Sequence, residues 1–120
     1  IPDLGVKQNG ELTLGEDTAD NGGMRLALMA LETKLKQSGK TLDEKQPNGL
    51  TARQEFFLAY AFSWCGTERP ESARMQIQTN PHSLARFRVN RPLSNMPEFA
   101  QAFGCKAGQP MVHAPRCQVW

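Results

Sequence analysis

No stretch of this chain approaches the ~20 consecutive apolar residues that a bilayer-spanning helix needs, so none of its 120 residues reads as a transmembrane segment. An excess of one charge is missing too. The 14 Lys and Arg against 12 Asp and Glu leave a net charge of +2, with the basic residues scattered. A phosphate backbone is usually met by a concentrated basic face, which argues against nucleic acid as a partner. Histidine is confined to His82 and His113, and no His-Glu-x-x-His segment occurs, so the ligands of a complete zinc site are not all here. There are three cysteines, Cys65, Cys105 and Cys117, and an odd count leaves at least one without a partner in the chain. Either these are reduced thiols of a cytosolic protein, or they belong to a secreted protein whose other cysteines lie upstream. Internal repeats, low-complexity tracts, a signal peptide and an initiating Met are all lacking, and Ile1-Pro2-Asp3 reads as the start of an excised or truncated segment.

What is present suits one small domain with a modest core: 39% of residues are hydrophobic and 22% charged. Residues 1–13 are turn-rich, and Asn9-Gly10 could close a tight hairpin. From about Leu14 the spacing becomes helical, with Met24, Leu28, Leu31 and Leu35 on one stripe and a stop near Gln37-Ser38-Gly39. A polar loop follows over 38–49. Thr51 is then a candidate N-cap with Gln54 completing a capping box. The run Gln54–Cys65 is so rich in apolar groups that it predicts a helix buried nearly all round, ended by Gly66. Pro70 opens a short helix to about Gln78, Asn80-Pro81 breaks the pattern, and residues 81–95 are mixed, with Pro92 and Asn95 as further breakers. Pro97–Phe103 predicts a last short helix stopped by Gly104, and the tail from Cys105 should be irregular.

The most informative run is Leu14-Gly15-Glu16-Asp17-Thr18-Ala19-Asp20-Asn21-Gly22-Gly23. Glu16 and Asp20, four apart, share one helix face about one turn apart. One carboxylate can then take a metal while the other reaches a neighbouring ligand. By position alone they also suit a first helical turn, where carboxylates favour the positive end of the macrodipole. Gly22-Gly23 costs a helix roughly 1 kcal/mol per residue relative to Ala, which close approach of another helix would offset.

The run resembles the third-ligand motif of the neprilysin family of zinc metalloendopeptidases (gluzincins). The resemblance continues in order through Phe56-Phe57-Leu58-Ala59-Tyr60-Ala61, Trp64-Cys65-Gly66, Pro81-His82-Ser83, Phe87-Arg88-Val89-Asn90, Pro92-Leu93-Ser94-Asn95, Pro97-Glu98-Phe99-Ala100, Ala102-Phe103-Gly104-Cys105 and the closing Cys117-Gln118-Val119-Trp120. It covers essentially the whole chain. It implies a mainly α fold, the C-terminal helical part of a thermolysin-like zinc metalloprotease catalytic domain, with residues 1–120 as a single segment and the His-Glu-x-x-His helix upstream of it. A bacterial member is the expectation.

The resemblance further implies that Glu16 is a zinc ligand and that Asp20 accepts a hydrogen bond from a ligating imidazole. His82 would stabilise the tetrahedral transition state, and Arg88 would bind a substrate backbone carbonyl beyond the scissile bond. The cofactor is Zn, and the partners are peptide substrates and the missing N-terminal portion of the same enzyme. Cys65, Cys105 and Cys117 would pair with cysteines elsewhere, in an extracytoplasmic compartment: periplasmic, secreted or membrane-anchored through another region. The isolated chain would be inactive, lacking two His ligands and the general base. Family members usually carry Asn-Ile at Asp17-Thr18 and Gly at Arg91. His113 matches no motif and reads as a loop residue. The alternative is a non-catalytic helical binding or structural module derived from such a peptidase.

Overall fold

The longest element, α1 (Gly10–Gln37), is set by its two ends. Asn9 keeps an extended backbone while its Oδ1 accepts the backbone N–H groups of Glu11 and Leu12 at 3.1 and 3.4 Å. It is therefore an N-cap that satisfies orphan donors of the first turn. The hairpin expected at Asn9-Gly10 does not form, and α1 starts four residues before Leu14. At the other end Gly39 takes φ 69°, and the N–H groups of Gly39 and Lys40 return to the carbonyls of Lys36 and Leu35. This is a Schellman stop, which favours glycine at the left-handed position.

The computed structural model describes residues 1–119, which form α1 and four further helices: α2 (Ala52–Ser63), α3 (Pro70–Thr79), α4 (Ala85–Asn95) and α5 (Pro97–Phe103). A 3-10 turn at Pro2–Leu4 precedes them. The only pairing of extended backbone among the described residues is an isolated bridge between Lys45 and Thr51, so the mainly α expectation holds. Trp120 lies outside the described residues. Thr51 caps α2 in a full capping box, donating its backbone N–H to Gln54 Oε1 at 2.9 Å and accepting Gln54 N–H at 3.2 Å. Gln54 Nε2 also donates to the Ala102 carbonyl of α5 at 2.8 Å, which ties the start of α2 to its neighbour.

Two further expectations fail. Residues 85–95, read as mixed and broken, are helical. Pro92 sits inside α4 without ending it. It has no N–H, so the Arg88 carbonyl one turn back loses its i+4 partner. The Tyr60 hydroxyl of α2 donates to that carbonyl at 2.8 Å instead, so tertiary packing satisfies what the proline removes. The second failure is the burial of α2. Phe57 is 1% exposed, but Leu58 and Phe62 on the outer side are 46% and 80% exposed. The helix is apolar on two sides and only one is covered.

The main core gathers Met24 and Leu28 from α1, Leu42 from the following loop, Phe57 from α2, and Leu93 and Met96 from α4 and its exit. Phe57 meets Phe56 and Phe99 edge-on, at 5.3 and 5.4 Å between ring centroids. A smaller core of Ala73, Ile77 and Leu84 packs under the N-terminal turn. α1 lies chiefly against α4, and α2 against α5. Like α2, α1 has a second apolar side that is open, marked by Leu14, Leu26 and Met29.

Candidate active-site cluster

The seam between α1 and α4 is polar. Asp17 accepts from Ser83 Oγ at 2.7 Å, and Ser83 in turn accepts from Gln8. Asn95 donates to Asn21 Oδ1 at 2.9 Å. The Asp20–Arg88 pair lies between these rungs, and the Glu16–His82 pair lies just outside the first of them. Asp17, which stands where the family usually has Asn, is thus absorbed into the seam. Arg91 lines a cleft that also includes Asp17.

Glu16 and Asp20 are about two and three turns into α1 rather than in its first turn. That removes the macrodipole as their reason for being there, because its effect fades within the first turn. Glu16 Oε2 is 3.0 Å from His82 Nε2, with the two side chains 42% and 43% exposed. His82 sits in the α3–α4 loop, which Gln76 Nε2 fastens through the carbonyls of His82 and Ser83. Asn80 Oδ1 receives the His82 backbone N–H at 2.9 Å and lies 2.9 Å from Nδ1. An oxygen that accepts the backbone N–H is an acceptor for the ring as well, so Nδ1 carries its hydrogen.

Asp20 and Arg88 form a bidentate pair, with Arg88 Nε on Oδ2 and one Nη on Oδ1, both at 2.7 Å. These side chains are 12% and 15% exposed. Asp20's hydrogen bonds raise the Arg88 pKa further, against a smaller opposing effect of burial. Burial, and then the Asp20 charge, push the Tyr60 hydroxyl pKa upward. The Trp64 ring lies against the guanidinium, 4.3 Å from Cζ to its centroid. His113 stands apart, exposed, with its backbone N–H on the Ser94 carbonyl.

The sequence did not foretell the Asp20–Arg88 pair, nor the parts of Tyr60, Trp64 and Asn80. Tyr60 and Trp64 were hidden in an apolar run that read as core, and Asn80 read as a helix breaker. The four-residue spacing of Tyr60 and Trp64, each with a polar atom on a large ring, was the available signal.

Among the described residues, no group of three or more His, Cys, Asp or Glu side chains is arranged to hold a metal ion. Glu16 nevertheless fits a metal as a single ligand. It is a half-exposed oxygen donor that meets an imidazole nitrogen. No helix among these residues is long and apolar enough to cross a membrane.

A helical frame that carries a carboxylate, an imidazole and a paired guanidinium at one edge, with apolar helix sides left open, defines one portion of a larger neprilysin-like domain. The chain belongs to peptidase family M13, whose sequence pattern matches residues 2–119. It is 47% identical over 116 residues to Neprilysin-1 of Caenorhabditis elegans, covering 96% of this chain and 15% of that protein. It is 44% identical over 117 residues to human Endothelin-converting enzyme 1, covering 97% and 15%. With mouse Membrane metallo-endopeptidase-like 1 the identity is 46% over 113 residues, covering 93% and 14%. A solved structure titled Haemonchus galactose containing glycoprotein complex superposes with a TM-score of 0.84 at 37% identity, covering 94% of this chain and 20% of that one. The chain thus spans about 15% of the length of these curated relatives. They are nematode and mammalian proteins, which lends no support to a bacterial source.

Proposed function

We propose that this chain is the part of a zinc-dependent metalloendopeptidase that supplies one metal ligand and the contacts to substrate and transition state, with oligopeptides as substrates. The observation that carries this reading is the convergence of Glu16, Asp20, His82 and Arg88, from α1, a loop and α4, into two neighbouring pairs along α1. Glu16 would hold zinc together with two imidazoles from outside this chain. When bound, the metal supplies the Lewis acidity that makes water a nucleophile near neutral pH.

The remaining chemistry belongs to side chains present here. Asp20 uses one lone pair of each oxygen on Arg88, which leaves capacity to accept an N–H from a ligating imidazole and fix its orientation. Arg88 commits Nε and one Nη to Asp20, and the other guanidinium N–H groups are free to donate to a backbone carbonyl of the substrate. His82 gives its Nδ1–H to Asn80, so its donor toward a developing oxyanion, beside Glu16, would be the Nε2–H of the doubly protonated imidazolium.

The open apolar sides of α1 and α2 would pack against the N-terminal portion of the same enzyme. Gly22-Gly23 would allow the ligand-bearing helix close approach, and a Cβ at Gly23 meets nothing within 4 Å in this chain, which leaves that room. Residues 1–120 form one segment of the catalytic domain, inactive by itself because two imidazoles and the general base lie elsewhere. Cys65 and Cys117 are exposed, Cys105 is half-buried, and all three are free thiols here. Their availability suits bonds to cysteines of that other portion in an extracytoplasmic compartment.

The test is Glu16→Val in the complete enzyme. We expect loss of both bound zinc and peptide hydrolysis; stoichiometric zinc in the purified variant would refute the ligand assignment. A sequence upstream of Ile1 without an intact His-Glu-x-x-His would favour a binding module.

A further inference from the structure

Arg88 is held by more than its carboxylate partner. Trp64, the C-cap of α2, places its ring face against the guanidinium, 4.3 Å from Cζ to the ring centroid. One turn earlier on the same helix, Tyr60 donates its hydroxyl to the main-chain carbonyl of Arg88 at 2.8 Å. That carbonyl is available because Pro92, four residues on, has no N–H to offer it. The Tyr60 and Trp64 rings meet edge-on at 6.5 Å, so they brace each other as well. One helix therefore grips both the backbone and the side chain of a single residue on another.

The consequence is directional. A guanidinium donates only in its own plane. Its two bonds to Asp20 fix one edge of that plane, but a carboxylate can turn about its own side-chain torsion and carry the guanidinium with it. A flat ring against one face removes that freedom. The Tyr60 bond fixes where along α4 the side chain starts.

We propose that Tyr60 and Trp64 are positioning residues for Arg88: α2 sets the plane and height of the guanidinium so that its unused N–H groups point at the substrate carbonyl. This rests on Arg88 being a substrate contact, and it adds the element that makes the contact directional.

Steady-state kinetics of the complete enzyme on an oligopeptide test it. Trp64→Leu should raise KM roughly three- to thirtyfold, the range expected for loss of a cation–π contact. Its kcat should stay within about twofold, as for an interaction equal in ground and transition states. Trp64→Phe keeps a ring face and should recover most of the KM. Tyr60→Phe, the milder change, should raise KM about two- to threefold. In an Arg88→Met background, Trp64→Leu should add nothing further. A full additional loss in that background, or an unchanged KM in both Trp64→Leu and Tyr60→Phe, overturns the proposal.

If Arg88→Met itself leaves KM and kcat unchanged, the substrate-contact reading fails and the positioning role for catalysis falls with it. Crystal structures of the complete enzyme then separate the two failures. A guanidinium rotated away in Trp64→Leu shows that the ring sets its orientation, whereas an unmoved guanidinium removes the positioning effect as well.

Discussion

Two regions of this molecule join helices in opposite ways. Around Phe57, α2 and α5 meet through rings packed edge-on, with Phe57 itself 1% exposed. Between α1 and α4, the apolar core shared by Met24, Leu28 and Leu93 is flanked by a polar edge of carboxylates, amides, a serine and an arginine, with Asp20 and Arg88 nearly withdrawn from water. The apolar join is the stabilising one. Buried ion pairs repay their desolvation only with good geometry, and apolar residues of similar volume often hold two helices together as well or better. This seam lies beside Glu16 and His82, and the proposed function gives it a reason other than stability. Under the proposed function, the polar seam is the working edge and the aromatic join its foundation.

The sharpest way to break this contrast is to attack the foundation. Phe57→Ala should cost about 3–5 kcal/mol through lost burial and the cavity left behind, read as a lowered denaturation midpoint; a loss under about 1 kcal/mol would place the main core elsewhere. Next comes the seam. Asp20→Ala leaves the Arg88 guanidinium unpaired and should cost about 2–4 kcal/mol, whereas Asp20→Leu combined with Arg88→Met should recover most of it. If the double variant is as unstable as the single one, the seam is structural after all. Gly23→Leu tests the open side of α1. With nothing within 4 Å of a Cβ there, this chain should lose no stability. The complete enzyme should bind zinc roughly tenfold more weakly, the scale for disturbing the surroundings of a metal ligand. Unchanged zinc affinity would exclude close helix approach at Gly23. The smallest effect lies far from both regions: Thr51→Ala removes the capping box of α2 and should cost about 1 kcal/mol in thermal unfolding.

Much of the helical layout was legible because helix ends are local chemistry. Thr51 with Gln54, Pro70, Pro97 with Gly104, and Gly39 all act within a few residues, and each marks a boundary the structure keeps. Asn9-Gly10 misled because the pair suits either a tight turn or an N-cap, and the choice depended on what followed: a helix rather than a returning strand. α4 was hidden for a nonlocal reason. A proline inside a helix is tolerable when another group takes the orphaned carbonyl, and that group, Tyr60, comes from a different helix. The outer side of α2 misled because apolar composition says that a face will be covered, not that the cover lies in the same chain.

By itself the sequence determined most of the helix boundaries, all but the start of α1 and the whole of α4, which helix sides are apolar, and, through ordered motifs, which family's chemistry Glu16, Asp20, His82 and Arg88 resemble. Short-range hydrogen bonds and side-chain periodicity suffice for the first two. Only the tertiary structure decided who partners whom. Asp20 and Arg88 are 68 residues apart in the chain, and their pairing exists because the apolar sides of α1 and α4 bring two polar edges together. The Trp64 ring against that guanidinium follows from the same packing, since a contact between separate helices depends on their relative placement and has no period for a sequence to display.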